Sequence, residues 1–294
     1  MNERAIAIPA RDGLPLPATL VESEFPSGAV VIVSPATATP RGFYHAFCRY
    51  LAQLGATAIT YDYRGTFEEP RELGRSTARM RDWGELDFAG VVDWASKRYP
   101  GAPLHTVGHS VGGHVLLMAP NADRVTRAVN VASQSGYWRL YRGVERYRVY
   151  AFVKAIMPAI TRTYGYFPGA RLVFGTNLAP GVLYQWSRWC VCPNYFFDDP
   201  CMADLLGNAA RFTAPTLMIG LADDPWATPQ AIDAMEHWFS GAHVTRREID
   251  PRVLGVAPIG HMGFFRSANA SLWPAVTDAL ELRQPAPTYV KGSS

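Results

Sequence analysis

The run Gly108-His109-Ser110-Val111-Gly112-Gly113 has the residue types and spacing to do chemistry. A serine hydroxyl becomes a nucleophile only where a base can take its proton and the backbone holds the oxygen clear of its neighbours. Gly108 and Gly112 flank Ser110 symmetrically and supply the small neighbours that a strained turn requires. The N–H of Val111, at the start of the helix that follows, would offer an anion an unpaired amide and the positive end of a dipole, which is half of an oxyanion hole. The competing reading of these residues is a Gly/Ser-rich connection with no chemical role.

A nucleophilic serine needs a base, and the base needs an acid to orient it. Downstream of Ser110 the chain offers Asp223-Asp224 and then His261, set between Gly260 and Gly263. Six other histidines compete with His261 for the role of base. His109 and His114 flank the serine, but a neighbour in a sharp turn points away and His114 falls inside the next helix. His45 is placed for a substrate contact, and His105, His237 and His243 read as structural.

These groups converge only if particular elements carry them. The stretch 104–107 is an apolar run that enters the Ser110 turn, and Val115 to Met118 form an apolar helical run that leaves it. Residues 29–34 (AVVIVS) form a β-branched run of the kind buried on both faces of a parallel sheet. Further strands are expected at 56–61, 127–132, 215–221 and 244–249, with helices at 43–54, 83–99, 229–239 and 271–282. An opening hairpin is expected from 5–8 and 16–21, turning through Arg11-Asp12-Gly13. This alternation predicts an α/β protein with a doubly wound, mostly parallel sheet and right-handed crossovers. Ser110, Asp223-Asp224 and His261 then follow three strand ends at one rim, where crevices form in open sheets.

The alternation breaks between 133 and 212, an interval dense in aromatics such as Tyr141, Phe152, Trp186 and Tyr195. We read it as an inserted, largely helical cap, with a helix at 137–157 ended by Pro158 and irregular chain beyond. Its rings either line a ligand pocket facing Ser110 or form the insert's own core. The expected division is a core of residues 1–133 and 212–283, a cap at 134–211, and a mobile proline-rich tail at 284–294.

The chain has 294 residues, 18% of them charged, and a net charge of +3 with no dense basic stripe, so nothing points to nucleic acid as a partner. No apolar run is long enough for a membrane span, and residues 1–10 lack a secretory pattern, so a cytoplasmic location is expected. Cys48, Cys190, Cys192 and Cys201 match neither a disulfide framework nor paired zinc-ligand spacing, and are read as free thiols rather than a metal site. Arg139, Arg142, Arg146 and Arg148 read as a solvated face rather than a site for an acidic substrate. Oligomeric state is not legible.

The order serine, acid, histidine, together with the Ser110 turn, Tyr61-Asp62-Tyr63-Arg64-Gly65, Asp223-Asp224-Pro225-Trp226 and Gly260-His261-Met262-Gly263-Phe264-Phe265, resembles the α/β-hydrolase superfamily. Within it, the chain is similar to bacterial predicted serine esterases or lipases with a cap inserted after the sixth strand. The resemblance covers nearly the whole chain and implies the α/β-hydrolase fold, a Ser-His-Asp triad, an acyl-enzyme route and no cofactor or metal. It places the acid immediately before a short segment ending in an apolar residue or Thr, which fits Asp224 with Asp223 as the alternative. It places the second oxyanion N–H in the loop after the third strand. There Ser34-Pro35-Ala36-Thr37 departs from the superfamily's frequent His-Gly; Ala36 or Thr37 is the donor, since Pro35 has no N–H.

The expectation is therefore a serine hydrolase acting on an ester, or less readily a thioester or amide, of a hydrophobic small molecule through Ser110, His261 and Asp224. The rivals on the same machinery are an acyltransferase and a C–C bond hydrolase. The rival of another class is a binding protein that kept the fold without catalysis.

Overall fold

The computed structural model describes residues 1–172 and 175–282. The expected tail at 284–294 lies outside the described residues. The strands are β1 Asn2–Pro9, β2 Pro15–Glu22, β3 Val30–Ser34, β4 Thr57–Tyr61, β5 Leu104–His109, β6 Arg127–Val131, β7 Thr216–Leu221 and β8 Val244–Ile249. They form a single sheet in the order β1-β2-β4-β3-β5-β6-β7-β8. The hairpin partner β2 joins β4 antiparallel, and every pairing from β4 through β8 is parallel. The architecture is the α/β-hydrolase fold, a mostly parallel doubly wound sheet with a helical insert between β6 and β7.

Burial follows strand position. Every residue of β3, β4 and β5 is buried, as central strands covered on both faces require. The edge strand β8 keeps Arg246, Arg247 and Glu248 exposed, charges that blunt an open edge. Because β3 and β5 to β8 run parallel, the loops after β3, β5, β7 and β8 all leave from one rim. That shared exit allows residues far apart in sequence to meet.

Two helical segments differ from expectation. The helix expected at 137–157 begins only at Glu145 and passes through Pro158 to Tyr164 as one helical run. A π-helical turn at Phe152–Ile156 shifts the hydrogen-bond ladder just ahead of Pro158, whose ring and missing N–H would otherwise break it. The run stops at Gly165, whose φ of 78° serves a left-handed cap. Beyond it the chain is less irregular than expected, with a helix at Pro180–Trp189 and another at Leu206–Arg211. The latter packs beneath the helix Val111–Met118, where Asn208 Nδ2 donates to the Met118 carbonyl at 2.8 Å. The aromatics of the insert are not confined to the two expected roles: Trp189, Phe167 and Phe196 are buried, whereas Tyr147, Tyr164 and Tyr184 are exposed to solvent. Others line a cavity described below.

Candidate active site

β5 delivers the chain to Ser110, which adopts φ 54° and ψ −118°, a conformation that few non-glycine residues tolerate. The strain is held from both sides: Ser110 N–H donates to the Val131 carbonyl at 2.9 Å, and Gly113 N–H returns to the Ser110 carbonyl at 3.0 Å. A Cβ on Gly112 would collide with the Ser34 carbonyl oxygen, and one on Gly108 with the backbone of Gly112 and Gly113. Both glycines are there because backbone passes where a side chain would sit. Val111 opens the helix Val111–Met118, and among the described residues its N–H has no protein acceptor.

Asp224 and His261 arrive at the same rim from the loops after β7 and β8. Asp224 Oδ2 lies 2.7 Å from His261 Nδ1. Its other oxygen accepts from the N–H groups of Trp226 at 2.8 Å and Ala227 at 3.1 Å. Burial pushes the Asp224 carboxyl up, but the His261 contact and the two amides outweigh it and hold its pKa below the ordinary value. Asp223 makes a different set of contacts: its Oδ2 accepts from Ile259 N–H at 2.7 Å and Gly260 N–H at 3.1 Å. The structure thus brings Asp224 to the imidazole, while Asp223 anchors the turn that presents His261.

The loop after β3 is held by the Tyr61-Asp62-Tyr63 segment. Tyr61 Oη is 3.2 Å from Ser34 Oγ, Tyr63 Oη donates to the Pro35 carbonyl at 3.3 Å, and Asp62 accepts the Arg41 N–H at 2.7 Å. Arg64 ties the segment to the body of the fold through Asp87 at 2.6 Å and Asp12 at 2.8 Å. Of the two expected oxyanion donors, Ala36 is already engaged: its N–H donates to Tyr44 Oη at 2.9 Å. The Thr37 N–H has no protein acceptor among the described residues. Tyr44, which carried no recognisable signal in the sequence beyond an aromatic in the first turn of the helix expected at 43–54, is therefore a part of the site that sequence reasoning missed.

The histidines around the serine separate clearly. His109 Nδ1 lies 2.8 Å from Tyr44 Oη and its Nε2 lies 2.9 Å from the His261 carbonyl. His45 is not in the site; its Nε2 contacts Thr19 Oγ1 at 3.1 Å and its Nδ1 Glu3 at 3.3 Å, on the antiparallel side of the sheet. His114 lies within the helix Val111–Met118, as expected, is buried, and is among the residues around the cavity in front of Ser110.

That cavity has a volume of about 320 Å³. Its walls come from Ala36 and Thr37, from Ser110 and Val111, from Trp226 and His261, and from the insert through Tyr141, Phe152, Trp186 and Tyr195. No charged side chain lines it among the described residues, and the four arginines at 139, 142, 146 and 148 are all absent from its wall. Cys190 also faces it as a buried free thiol, burial holding its pKa far above the usual range. Among the described residues no group of three or more His, Cys, Asp or Glu side chains could hold a metal ion, and no helix is long and apolar enough to cross a membrane.

The sequence model of a family described as "Alpha/beta hydrolase family" matches residues 30–272. A comparison with curated protein sequences gave no match. Solved structures with a similar fold include DcsB in complex with its substrate analogue, at 14% identity and a TM-score of 0.60 over 96% of this chain and 99% of that one. An esterase from Exiguobacterium antarcticum aligns at 13% identity and TM-score 0.59 over 95% of this chain and 100% of its own. A serine hydrolase described as lacking a lid, from Xanthomonas campestris, aligns at 15% identity and TM-score 0.52 over 97% of each chain. At these identities the likeness is one of fold.

Proposed function

The chain belongs to the alpha/beta hydrolase family, and on that premise we propose that it is a serine hydrolase cleaving a carboxylic ester of a hydrophobic small molecule. The observation that carries the reading is the 2.7 Å contact of Asp224 with His261 Nδ1, beside a cavity that His261 shares with Ser110. In this mechanism Ser110 Oγ attacks the acyl carbonyl carbon and gives its proton to His261 Nε2, while Asp224 holds the Nδ1–H and stabilises the imidazolium. The oxyanion accepts from Val111 N–H and from Thr37 N–H, the donor left when Ala36 is engaged by Tyr44. His261 then protonates the leaving alcohol, and water activated by the same imidazole releases the acid from Ser110.

The largely apolar wall suits a hydrophobic acyl or alcohol group. The division of labour proposed with this reading is a core of residues 1–133 and 212–283 and a cap at 134–211 that closes over Ser110. Purified protein incubated with a fluorophosphonate should be labelled at Ser110 and should hydrolyse p-nitrophenyl esters. Ser110→Ala should lose turnover by a factor of about a million if the three residues act as a unit. Failure to label, or wild-type turnover by Ser110→Ala, would overturn the assignment.

A further inference from the structure

The outer surface of the insert gathers both positive charge and uncovered apolar groups. Between Arg139 and Arg188 the sequence carries eight Lys and Arg side chains against a single acid, Glu145, in a chain whose net charge is +3. Seven of the eleven large hydrophobic side chains that stand exposed among the described residues fall in the same interval, from Val144 to Tyr184. Exposed apolar side chains scattered singly need no explanation, but gathered in one patch they mark a contact surface.

Ring contacts make part of this surface continuous. Trp138, half-buried, lies 4.7 Å from Tyr150 and 6.1 Å from Tyr147, centroid to centroid. Arg139 stands over the Trp138 ring at 5.1 Å and Arg146 over the Tyr147 ring at 4.8 Å, so guanidinium groups and rings share one patch. The helical run from Glu145 to Tyr164 turns Val149, Val153, Met157 and Thr161 inward as a buried stripe, and leaves Lys154, Ile156, Arg162 and Tyr164 exposed. On the inner side, Val149 and Val153 line the cavity in front of Ser110. Glu145, the one acid, is 3.4 Å from Arg148, whereas Arg139, Arg142, Lys154 and Arg162 are exposed with no ion pair among the described residues.

We propose that the outer face of the insert docks on an anionic lipid bilayer, with its cations among the headgroup phosphates and its exposed rings and aliphatic side chains at the acyl boundary. Tyrosine, tryptophan and arginine, each an apolar body with a polar end, suit a layer that is wet on one side and apolar on the other. Nucleic acid would satisfy the cations but leave Val144, Ile156 and Leu172 in water. A second copy of the chain would set the same cations against each other. The docking face and the cavity wall are opposite sides of one helical run, so docking holds the cavity close to the membrane, where hydrophobic molecules concentrate. The inference concerns binding and stands apart from the serine hydrolase reading.

The test is vesicle flotation of the full chain carrying Ser110→Ala, so that turnover does not enter. Vesicles of phosphatidylcholine alone are compared with vesicles of phosphatidylcholine and phosphatidylserine. The protein should float with the anionic vesicles and far less with the neutral ones, and part of the binding should survive high salt. Arg142→Gln and Arg162→Gln should each weaken it about fivefold, the factor that corresponds to about 1 kcal/mol for a cation near an anionic surface. Tyr147→Ser combined with Ile156→Ser should remove the part that survives salt. None of these four residues lines the cavity, so hydrolysis of a short water-soluble ester in the wild-type background should not change. The arginine substitutions, at exposed and unpaired positions, serve if the Tyr147 and Ile156 variant does not fold. Absence of flotation with anionic vesicles overturns the proposal, as does flotation that all the substitutions leave unchanged. Retention on immobilised DNA without flotation overturns it in favour of nucleic acid. Failure of the hydrolase reading shows elsewhere, in wild-type protein that neither labels with a fluorophosphonate nor turns over any ester.

Discussion

The hydroxyl of Tyr44 stands 2.8 Å from His109 Nδ1, and this one contact fixes a chain of hydrogen bonds across the site. The His261 carbonyl lies 2.9 Å from His109 Nε2 and can only accept, so the neutral ring carries its proton on Nε2. Nδ1 is then the acceptor of the ring and takes the Tyr44 O–H, while a lone pair of Tyr44 Oη accepts the Ala36 N–H at 2.9 Å. The loop after β3, the turn around Ser110 and the loop carrying His261 are thereby linked through two buried side chains. Burial raises the Tyr44 pKa far above the phenol range, so the hydroxyl keeps the proton this arrangement requires.

Tyr44→Phe removes the link while keeping the ring. It leaves the Ala36 N–H and His109 Nδ1 unpaired in a dry interior, each costing about 1–3 kcal/mol. The denaturant midpoint should fall accordingly. Because the His261 backbone loses its indirect tie to the oxyanion loop, kcat for an activated ester should drop about tenfold, with KM changing less. An unchanged midpoint and kcat would mean that the linkage carries neither stability nor alignment.

Asp223 and Asp224 are adjacent, and the same substitution at each should give different results. Asp224→Asn keeps the shape but removes the charge that holds the His261 Nδ1–H, and kcat should fall on the order of ten-thousandfold with little loss of fold. Asp223→Asn weakens acceptance from the Ile259 and Gly260 amides, so its first effect should be a lower midpoint, with a much smaller loss of kcat. Parallel rate and denaturation measurements on the two variants decide between the carboxylates. A larger kcat loss in Asp223→Asn would reverse the assignment.

Gly112→Ala probes the turn itself. The new methyl would strike the Ser34 carbonyl oxygen, a backbone atom that cannot rotate away, and β3 would have to move from β5. A loss of about 3 kcal/mol is expected, read as a lower urea midpoint and reduced fluorophosphonate labelling. Wild-type stability would show that the turn has slack that its backbone geometry does not suggest.

Much of this was legible in the sequence because it rests on local or ordered signals. The glycines at 108 and 112 announce a tight turn by what they lack, and β3 announces a central strand by an unbroken β-branched run. The acid and histidine follow the serine in an order that one sheet topology explains. What was not legible depends on contacts between distant segments. Tyr44 reads as one more core aromatic until Ala36 and His109 converge on its hydroxyl. His114 reads as a helix-interior residue until the turn at 133–136 and the ring of Tyr195 close around it. Pro158 looks like a helix terminator because the compensating π-helical turn at Phe152–Ile156 has no composition of its own.

Acid sensitivity should come in part from the two buried histidines near Ser110. Burial pushes the His109 pKa down to about 3, helped by the nearby His261, and burial pushes His114 down to about 3 as well, from an ordinary value of 6.5. Between those values the unfolded chain binds more protons than the folded one, so the contribution of each group is complete above pH 6.5 and is lost progressively as the pH falls toward 3. At about 1.4 kcal/mol per pH unit, the drop from pH 6.5 to pH 5 should cost about 2 kcal/mol for each histidine. Urea unfolding of wild type and His114→Phe at pH 7.5, 6 and 5 isolates one of the two. The variant's midpoint should fall less steeply with acid than that of the wild type, because one proton-binding site of the unfolded chain is gone. Parallel pH profiles would mean that His114 takes up its proton in the folded protein as readily as in the unfolded chain, and so is not held neutral by its surroundings.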